Sequence, residues 1–576
     1  MTSTSAPPGS RPAGHALVEA LIAQRVKTVF GVPGESYLAV LDGFHEHRGR
    51  IRFIACRQEG GAGFMAEAQG KLSGRPGICF VTRGPGATNA SIAVHTAFQD
   101  STPLILFVGQ VASEQRDREA FQEIDYRHMF GPGTLGMAKW VGEVHSADRL
   151  PEYVSRAFHT ALQGRPGPVV LVLPEDMLTT PTAAPVLPFV EPAHAWPAPG
   201  ALRDLREMLL AARQPLVIAG GGGWTPQACA ALQRFAESWN LPVTCAFRFQ
   251  DLFDNRHANY AGDVGIGINP KLATRVRGAD LILAVGPRLG EMTTGGYTLL
   301  EAPQPRQRLV HVHAGAEELG RVYAADLKIQ ASMASAAKAL ETLSPPTVLP
   351  WGQWTADAHA DYEANHVAQA VEPLDMAVVV KTVARLAPQD TVYTNGAGNF
   401  SGWPQRYLRF AALHQHGRTQ LAPTSGAMGY GVPAAIAAAL LEPGRTVINF
   451  AGDGDFLMTG QELATAMAYR AGQGVGKLIV IVVDNGTFGT IRMHQEREYP
   501  GRVSGSDLFN PDFVALARAY GLAAEFVDHT AQFEPAFLAA LNREVPTLLH
   551  LKLDADVSTT RGTLSAMREA ALRRRA

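Results

Sequence analysis

The feature that most constrains this chain lies near its C-terminal end, at residues 452–489: GDGDFLMTGQELATAMAYRAGQGVGKLIVIVVDNGTFG. An apolar run at residues 446–451 precedes it and reads as a buried strand. Gly452-Asp453-Gly454 reads as the turn, and residues 459–469 as a helix with one apolar face. Residues 477–483 read as a second buried strand, ending at Asp484-Asn485-Gly486. Strand, turn, helix, strand is a crossover unit, the connection that parallel strands require. A parallel sheet brings both strand ends to one edge. Asp453 and Asn485 are therefore expected together at the carboxyl edge, where doubly wound sheets bind ligands.

Chemically, that pair reads as part of a magnesium site. Mg²⁺ takes oxygen ligands in octahedral geometry and is usually held by one or two protein groups plus phosphate oxygens. Asp453 offers a carboxylate, Asn485 an amide oxygen, and the backbone near Thr487 a carbonyl. The glycines of the stretch, Gly452, Gly454 and Gly489, let a diphosphate approach the main chain, beside Asp455. A Gly-Asp-Gly triplet alone is most often an ordinary turn; the downstream Asn changes its weight. The stretch resembles the thiamine-diphosphate fingerprint, GDG followed about thirty residues later by Asn.

The rest of the chain repeats the same alternation. Helical patterns at residues 13–25, 37–45, 60–72 and 87–99 interleave with strand patterns at 27–30, 51–56, 77–82, 103–108 and 168–173. A Pro/Ala-rich stretch follows, then strand patterns at 215–219, 241–247, 279–285 and 308–313 around a helix at 226–239. The expected fold is α/β, with three doubly wound parallel-sheet domains. Their expected bounds are 13–180, 201–343 and 375–560. Linkers are expected at 181–200 and 344–374, a disordered leader at 1–12 and a tail at 561–576.

Composition narrows the function. A formal net charge of −2 gives no electrostatic footprint for nucleic acid. No stretch has the length of a membrane helix. Cys56, Cys79, Cys229 and Cys245 lack metal spacing and read as reduced core residues of a cytoplasmic protein.

The first domain carries RQEGGAGFMAEA at residues 57–68 and GPGATN at 84–89. Each lies between a strand and a helix. Glu59 alone reads as a helix-dipole residue, and GPGATN alone as a tight turn with a cap. Two ligand-type turns in one domain are less easily dismissed. With FGVPGE (30–35), GQV (109–111), AFQE (120–123), GRPGPVVLVLPED (164–176) and TSGAMGYGVPAA (424–435), the chain resembles the thiamine-diphosphate-dependent 2-oxo-acid enzymes of the acetolactate synthase group.

The resemblance spans roughly residues 13 to 560 and implies a pyrimidine-binding, a central and a diphosphate-binding domain. It implies that Glu59 hydrogen-bonds the aminopyrimidine and drives its tautomer change. Gly34, Pro85 and Asn89 join the pyrimidine side, while Gly398, Asn399 and Met428 join the diphosphate side, Met428 as a prop. Gln110, Phe121, Gln122, Ile491 and His494 are the implied substrate pocket. The implied cofactors are thiamine diphosphate and Mg²⁺, and the implied substrate a 2-oxo acid. The implied assembly is a homo-oligomer with the active site at a dimer interface; a regulatory small subunit is left open.

The chain also departs from the biosynthetic enzymes. Glu35 stands where they have a small residue, Glu175 where they have Lys, and His494 where a Trp is usual. GPRLGE (286–291) and VHVHAG (310–315) depart from the flavin-side motifs, so FAD is expected to bind weakly or not at all, although residues 220–222 remain a glycine triplet. His95 and His128 read as structural. Three functions are compatible with the sequence: a carboligase acting on pyruvate, a thiamine-dependent decarboxylase or acyl-CoA lyase releasing an aldehyde, and a non-catalytic nucleotide-binding scaffold. Retention of Glu59, Asp453 and Asn485 argues against the third.

Overall fold

A computed structural model of the chain describes residues 9–131, 136–368, 370–470 and 475–575. Each of three six-stranded sheets is parallel throughout. In the first, the order is Arg52–Ala55, Thr28–Gly31, Gly77–Val81, Leu104–Gln110, Pro168–Pro174, Trp140–Glu143. In the second, it is Tyr260–Asp263, Val243–Cys245, Pro215–Ala219, Leu281–Val285, Arg308–His313, Leu327–Gln330. In the third, it is Gln420–Leu421, Val392–Asn395, Val447–Gly452, Leu478–Asp484, Thr547–Lys552, Ala523–Val527. Inner strands such as Leu478–Asp484 and Pro168–Pro174 are buried along their whole length. Helices cover both faces, so these strands are continuous apolar runs without alternation.

The shared topology creates a switch point in each sheet. The chain leaves Thr28–Gly31 to one side for Arg52–Ala55 and then crosses to the other for Gly77–Val81. Val392–Asn395 and Val447–Gly452 flank the equivalent point in the third sheet. Loops diverge there and leave a crevice beyond the strand ends. The sheets fall into two compact units, Met1–Ala193 and His194–Ala576, the second holding the central and C-terminal sheets together.

Several expected boundaries differ from the structure. Of the expected leader, residues 1–8 lie outside the described residues, while Arg11–Pro12 pairs antiparallel with Pro181–Thr182. The start of the first linker is thus a strand, and its later part packs back on the first unit: Val190 is buried and Phe189 stacks against the guanidinium of Arg25. The second linker contains a helix, Gly352–Ala364, anchored by buried Trp351 and Tyr362 in the central core. The tail is a helix, Leu564–Arg575, whose Arg568 Nε donates to Glu496 at 2.8 Å. Proline content and charge misled at these places, because amphipathic docking onto an existing core overrides local composition.

The opening stretch also folds differently. Asp453 is no turn residue but the first residue of a helix, Asp453–Thr459, with Gly452 extended as its cap. Asp453 and Asp455 in its first turn complement the helix dipole. A short 3₁₀ turn, Gly460–Glu462, separates it from the helix Leu463–Ala468. Residues 471–474, inside the same stretch, lie outside the described residues.

Candidate active site

The C-terminal half of the site forms at the switch point of the third sheet. Gly452 pairs with Val483 across neighbouring strands, which sets Asp453 beside Asp484 and Asn485. A cavity of about 250 Å³ opens there. It gathers Gly398, Asn399, Met428, Gly452, Asp453, Gly454, Asp455, Asn485, Thr487, Gly489 and Ile491, every residue expected on the diphosphate side together with one from the substrate pocket.

Asp453 is nearly fully buried. Its Oδ1 accepts the Gly454 N–H at 2.9 Å, and its Oδ2 accepts the Gly486 N–H at 2.9 Å and the Asn510 amide at 2.8 Å. Burial, with Asp484 alongside, raises the Asp453 carboxyl above the usual range. Asp484 is held low in spite of burial, because His550 and Lys552 contact Oδ2 at 2.9 and 3.1 Å. Asp455 ties two loops: its Oδ1 accepts Gly429 N–H at 2.8 Å and Ala397 N–H at 3.2 Å. Burial pushes its carboxyl up to about 7 against those two bonds.

The lining fits a diphosphate carried in with a divalent cation. It contains Asp453 and Asp455 and no Lys, Arg or His, so a polyanion would meet only carboxylates unless a cation accompanied it. Among the described residues, no three His, Cys, Asp or Glu side chains converge on a metal position. Asp455 Oδ2 and Thr487 Oγ1 are buried without a hydrogen-bond partner, and Gly426, at φ +70°, faces open space in the cavity wall. Asn399 is engaged from both ends, donating to Ser558 Oγ at 3.1 Å and accepting from Thr490 Oγ1 at 3.0 Å. Both bonds tie the loop that carries Asn399 to its neighbours.

The residues expected on the pyrimidine side gather at the carboxyl edge of the first sheet, around its switch point. Glu59 opens the helix Glu59–Ser73, capped by Gln58, whose side chain accepts the Gly61 N–H at 3.0 Å. Asn89 Nδ2 donates to Glu59 Oε2 at 2.9 Å. A Cβ on Gly86 would sit 3.6 Å from Glu59 Oε1, and one on Gly34 only 2.5 Å from Thr82, so both loops pass close to their neighbours. Gly84, at φ +49°, abuts Gln122, and its N–H donates to the Tyr126 hydroxyl at 2.8 Å. Pro85 and Asn89 are exposed at the helix start.

Some expected pocket residues are placed elsewhere. Gln110 is fully buried and spends its amide on the backbone, donating to Ile124 O at 3.0 Å and accepting from Val111 N at 2.9 Å. Phe121 is 73% exposed. His494 is exposed, pairs with Arg497 at 2.7 Å and does not line the cavity. The helix Gly489–Glu498 turns only Ile491 and residues before it toward the cavity.

Sequence reasoning missed Phe400, Trp403 and Ser558 in the lining. It also missed Arg83, which unites two of the unusual residues. The Arg83 guanidinium donates to Glu35 at 2.7 Å and to Glu175 at 2.9 Å. The position of Arg83 inside the TRGPG motif was the available signal.

The glycine turn of the central domain is tightly packed. The glycine turn at 220–222 is closed by Trp224, whose indole donates to Gly220 O at 2.8 Å, and a Cβ on Gly221 would lie 2.1 Å from Gly286 O. A groove of about 110 Å³ lies between Arg288, Glu318 and Arg321.

Comparison with known proteins covers most of the chain. Family models match residues 11–129 (thiamine pyrophosphate enzyme, N-terminal TPP binding domain), 202–340 (central domain) and 396–551 (C-terminal TPP binding domain). The chain is 31% identical to the acetolactate synthase isozyme 2 large subunit of Escherichia coli K12, over 93% of this chain and 95% of that protein. It is 32% identical to an acetolactate synthase large subunit of Parasynechococcus marenigrum, over 95% and 87% respectively.

Proposed function

The chain belongs to the thiamine pyrophosphate enzymes of the acetolactate synthase large-subunit family, and from that premise we propose that it decarboxylates a 2-oxo acid, with pyruvate as donor, and joins the remaining two-carbon unit to a second carbonyl. The observation that carries this reading is the cavity at the third switch point, with Asp453 and Asn485 on its wall and no cationic side chain. Thiamine diphosphate, when bound, supplies the electron sink that lets carbon dioxide leave.

The chain's own residues do the rest. Asp453, Asn485 and the Thr487 carbonyl would hold Mg²⁺ on the diphosphate. Glu59, steadied by Asn89, holds a proton at its carboxylate for exchange with the pyrimidine. Met428 would support the cofactor, and Phe400, Trp403 and Ile491 would exclude water around it. Gln122 shapes the substrate side, and Gln110 holds the loop that carries it. The reading places Glu59 of one copy beside the cavity of another, in a homodimer or homotetramer, and the enzyme in the cytoplasm. Among the described residues no helix is long and apolar enough to cross a membrane. FAD has no part in the reaction, since carboligation has no redox step.

The test is a panel of 2-oxo acids with thiamine diphosphate and Mg²⁺, with products identified by NMR. Acetolactate from pyruvate is expected. Free aldehyde as sole product would replace carboligation by a lyase reaction, and no carbon dioxide release from any 2-oxo acid would overturn the reading.

A further inference from the structure

We infer that Asn510 is a positioning residue for the cation site, clamping Asp453 to Asp484 so that Asp453 presents one fixed oxygen direction to the metal; this rests on the function proposed above. Asn510 comes from neither of the two strand ends that make the site. It arrives on a segment strapped across the Asp484–Phe488 turn: Phe488 N–H donates to Ser506 O and Leu508 N–H to Gly486 O, both at 2.9 Å, and Arg492 Nε donates to Ser506 Oγ at 2.7 Å. Thr487 and Asp507 form an antiparallel bridge within this strap.

The strap delivers a single amide between two carboxylates. Asn510 Nδ2 donates to Asp453 Oδ2 at 2.8 Å and to Asp484 Oδ1 at 2.9 Å. The amide orientation is fixed chemically, because turning its oxygen toward two carboxylates would remove both bonds and add repulsion. Asn510 Oδ1 points away and is buried without a partner.

Asp484 is itself immobile. It accepts from His550 Nε2 at 2.9 Å and from the Gly486 N–H at 3.0 Å, with Lys552 Nζ at 3.1 Å. His550 is held in turn by Phe513 and Phe526, each edge-on with ring centroids 5.1 Å away. A rigid path therefore runs His550–Asp484–Asn510–Asp453. Outer groups of this kind orient a metal ligand, and their loss typically lowers metal affinity about 10–100-fold.

Rigidity has a signature that plain structural support lacks. Mg²⁺ demands near-ideal octahedral geometry, while Ca²⁺ accepts looser and larger sites. Releasing Asp453 to rotate should therefore harm Mg²⁺ more than Ca²⁺.

The experiment strips the full-length protein of metal and titrates Mg²⁺ and Ca²⁺ separately, at saturating thiamine diphosphate, by calorimetry. Asn510→Ala is expected to weaken Mg²⁺ about 10–100-fold and Ca²⁺ less, so the Mg²⁺:Ca²⁺ affinity ratio falls. Asn510→Ser, which keeps a short donor, should recover part of that ratio and covers the case in which the alanine variant fails to fold. Parent-like Mg²⁺ affinity and ratio in both variants, or equal loss of both cations, would overturn the inference. Asp453→Ala serves as the control. A parent protein whose thiamine diphosphate binding ignores Mg²⁺ would overturn the underlying function as well, whereas a metal-dependent parent with indifferent Asn510 variants would overturn this inference alone.

Discussion

Asn89 donates to Glu59 across 2.9 Å, joining the two ligand-type turns of the first sheet at its switch point. The bond leaves Glu59 Oε1 on the side of Gly86, where a Cβ would sit 3.6 Å from it. Glu59→Gln should retain cofactor binding and the fold while turnover falls about 10²–10⁴-fold, the usual contribution of a general acid–base group. If Glu59 only caps its helix, the same change would cost at most about 1 kcal/mol of stability and spare turnover. Exchange of the bound thiazolium proton for deuterium separates the two, and a parent-like exchange rate would remove Glu59 from the mechanism.

Asp453 has three protein hydrogen bonds and a place in the cavity wall. Asp453→Ala should abolish activity and Mg²⁺-dependent binding of thiamine diphosphate. The ligand-free protein should lose less than about 1 kcal/mol of stability, because the Gly486 N–H and the Asn510 amide each keep a bond to Asp484. Unchanged cofactor affinity by calorimetry in a folded variant would end the metal assignment.

Arg83 is buried, whereas the side chains of its partners Glu35 and Glu175 are 64% and 37% exposed. Removing either acid alone should cost less than about 1 kcal/mol. Arg83→Ala should cost more, about 1–3 kcal/mol, since it also leaves two carboxylates facing one another. A double-mutant cycle between Arg83→Ala and Glu175→Ala reads the coupling directly. Zero coupling would mean that the Arg83–Glu175 pair is idle.

His311 is the buried group with the clearest pH consequence. Burial, reinforced by neighbouring His313, lowers its pKa to about 4 from 6.5. Below pH 6.5 the unfolded chain takes up a proton that the folded chain refuses. Stability is therefore full above 6.5 and lost as pH falls toward 4, by up to about 3 kcal/mol. His311→Asn should flatten that part of the stability profile. Denaturant melts at pH 7.5, 5.5 and 4.5 test it, and an unchanged slope would show that His311 contributes nothing to the acid side.

Glu59, Asp453 and Asn485 were legible in the sequence because their positions follow from chain-local rules. A residue just past a parallel strand must lie at the carboxyl edge, and adjacent strands place such residues side by side. The strand at residues 308–313 and the helix beginning at Ala13 were legible for the same reason, through apolar runs and periodicity. The side on which His494 lies was not legible, because motif position says nothing about which face of a helix points inward; in the single chain packing leaves it exposed. Asn510 gave no signal at all, since Asn before Pro reads as a turn. Its contact with Asp453 spans 57 residues, and that of Arg83 with Glu175 spans 92. The sequence by itself determined three parallel-sheet domains through local periodicity, the strand-end positions of Asp453 and Asn485 through chain-local geometry, and the cofactor class through its motifs. Tertiary structure alone decided which loops hold those side chains in place, because contacts between distant loops arise from three-dimensional packing that no local pattern encodes.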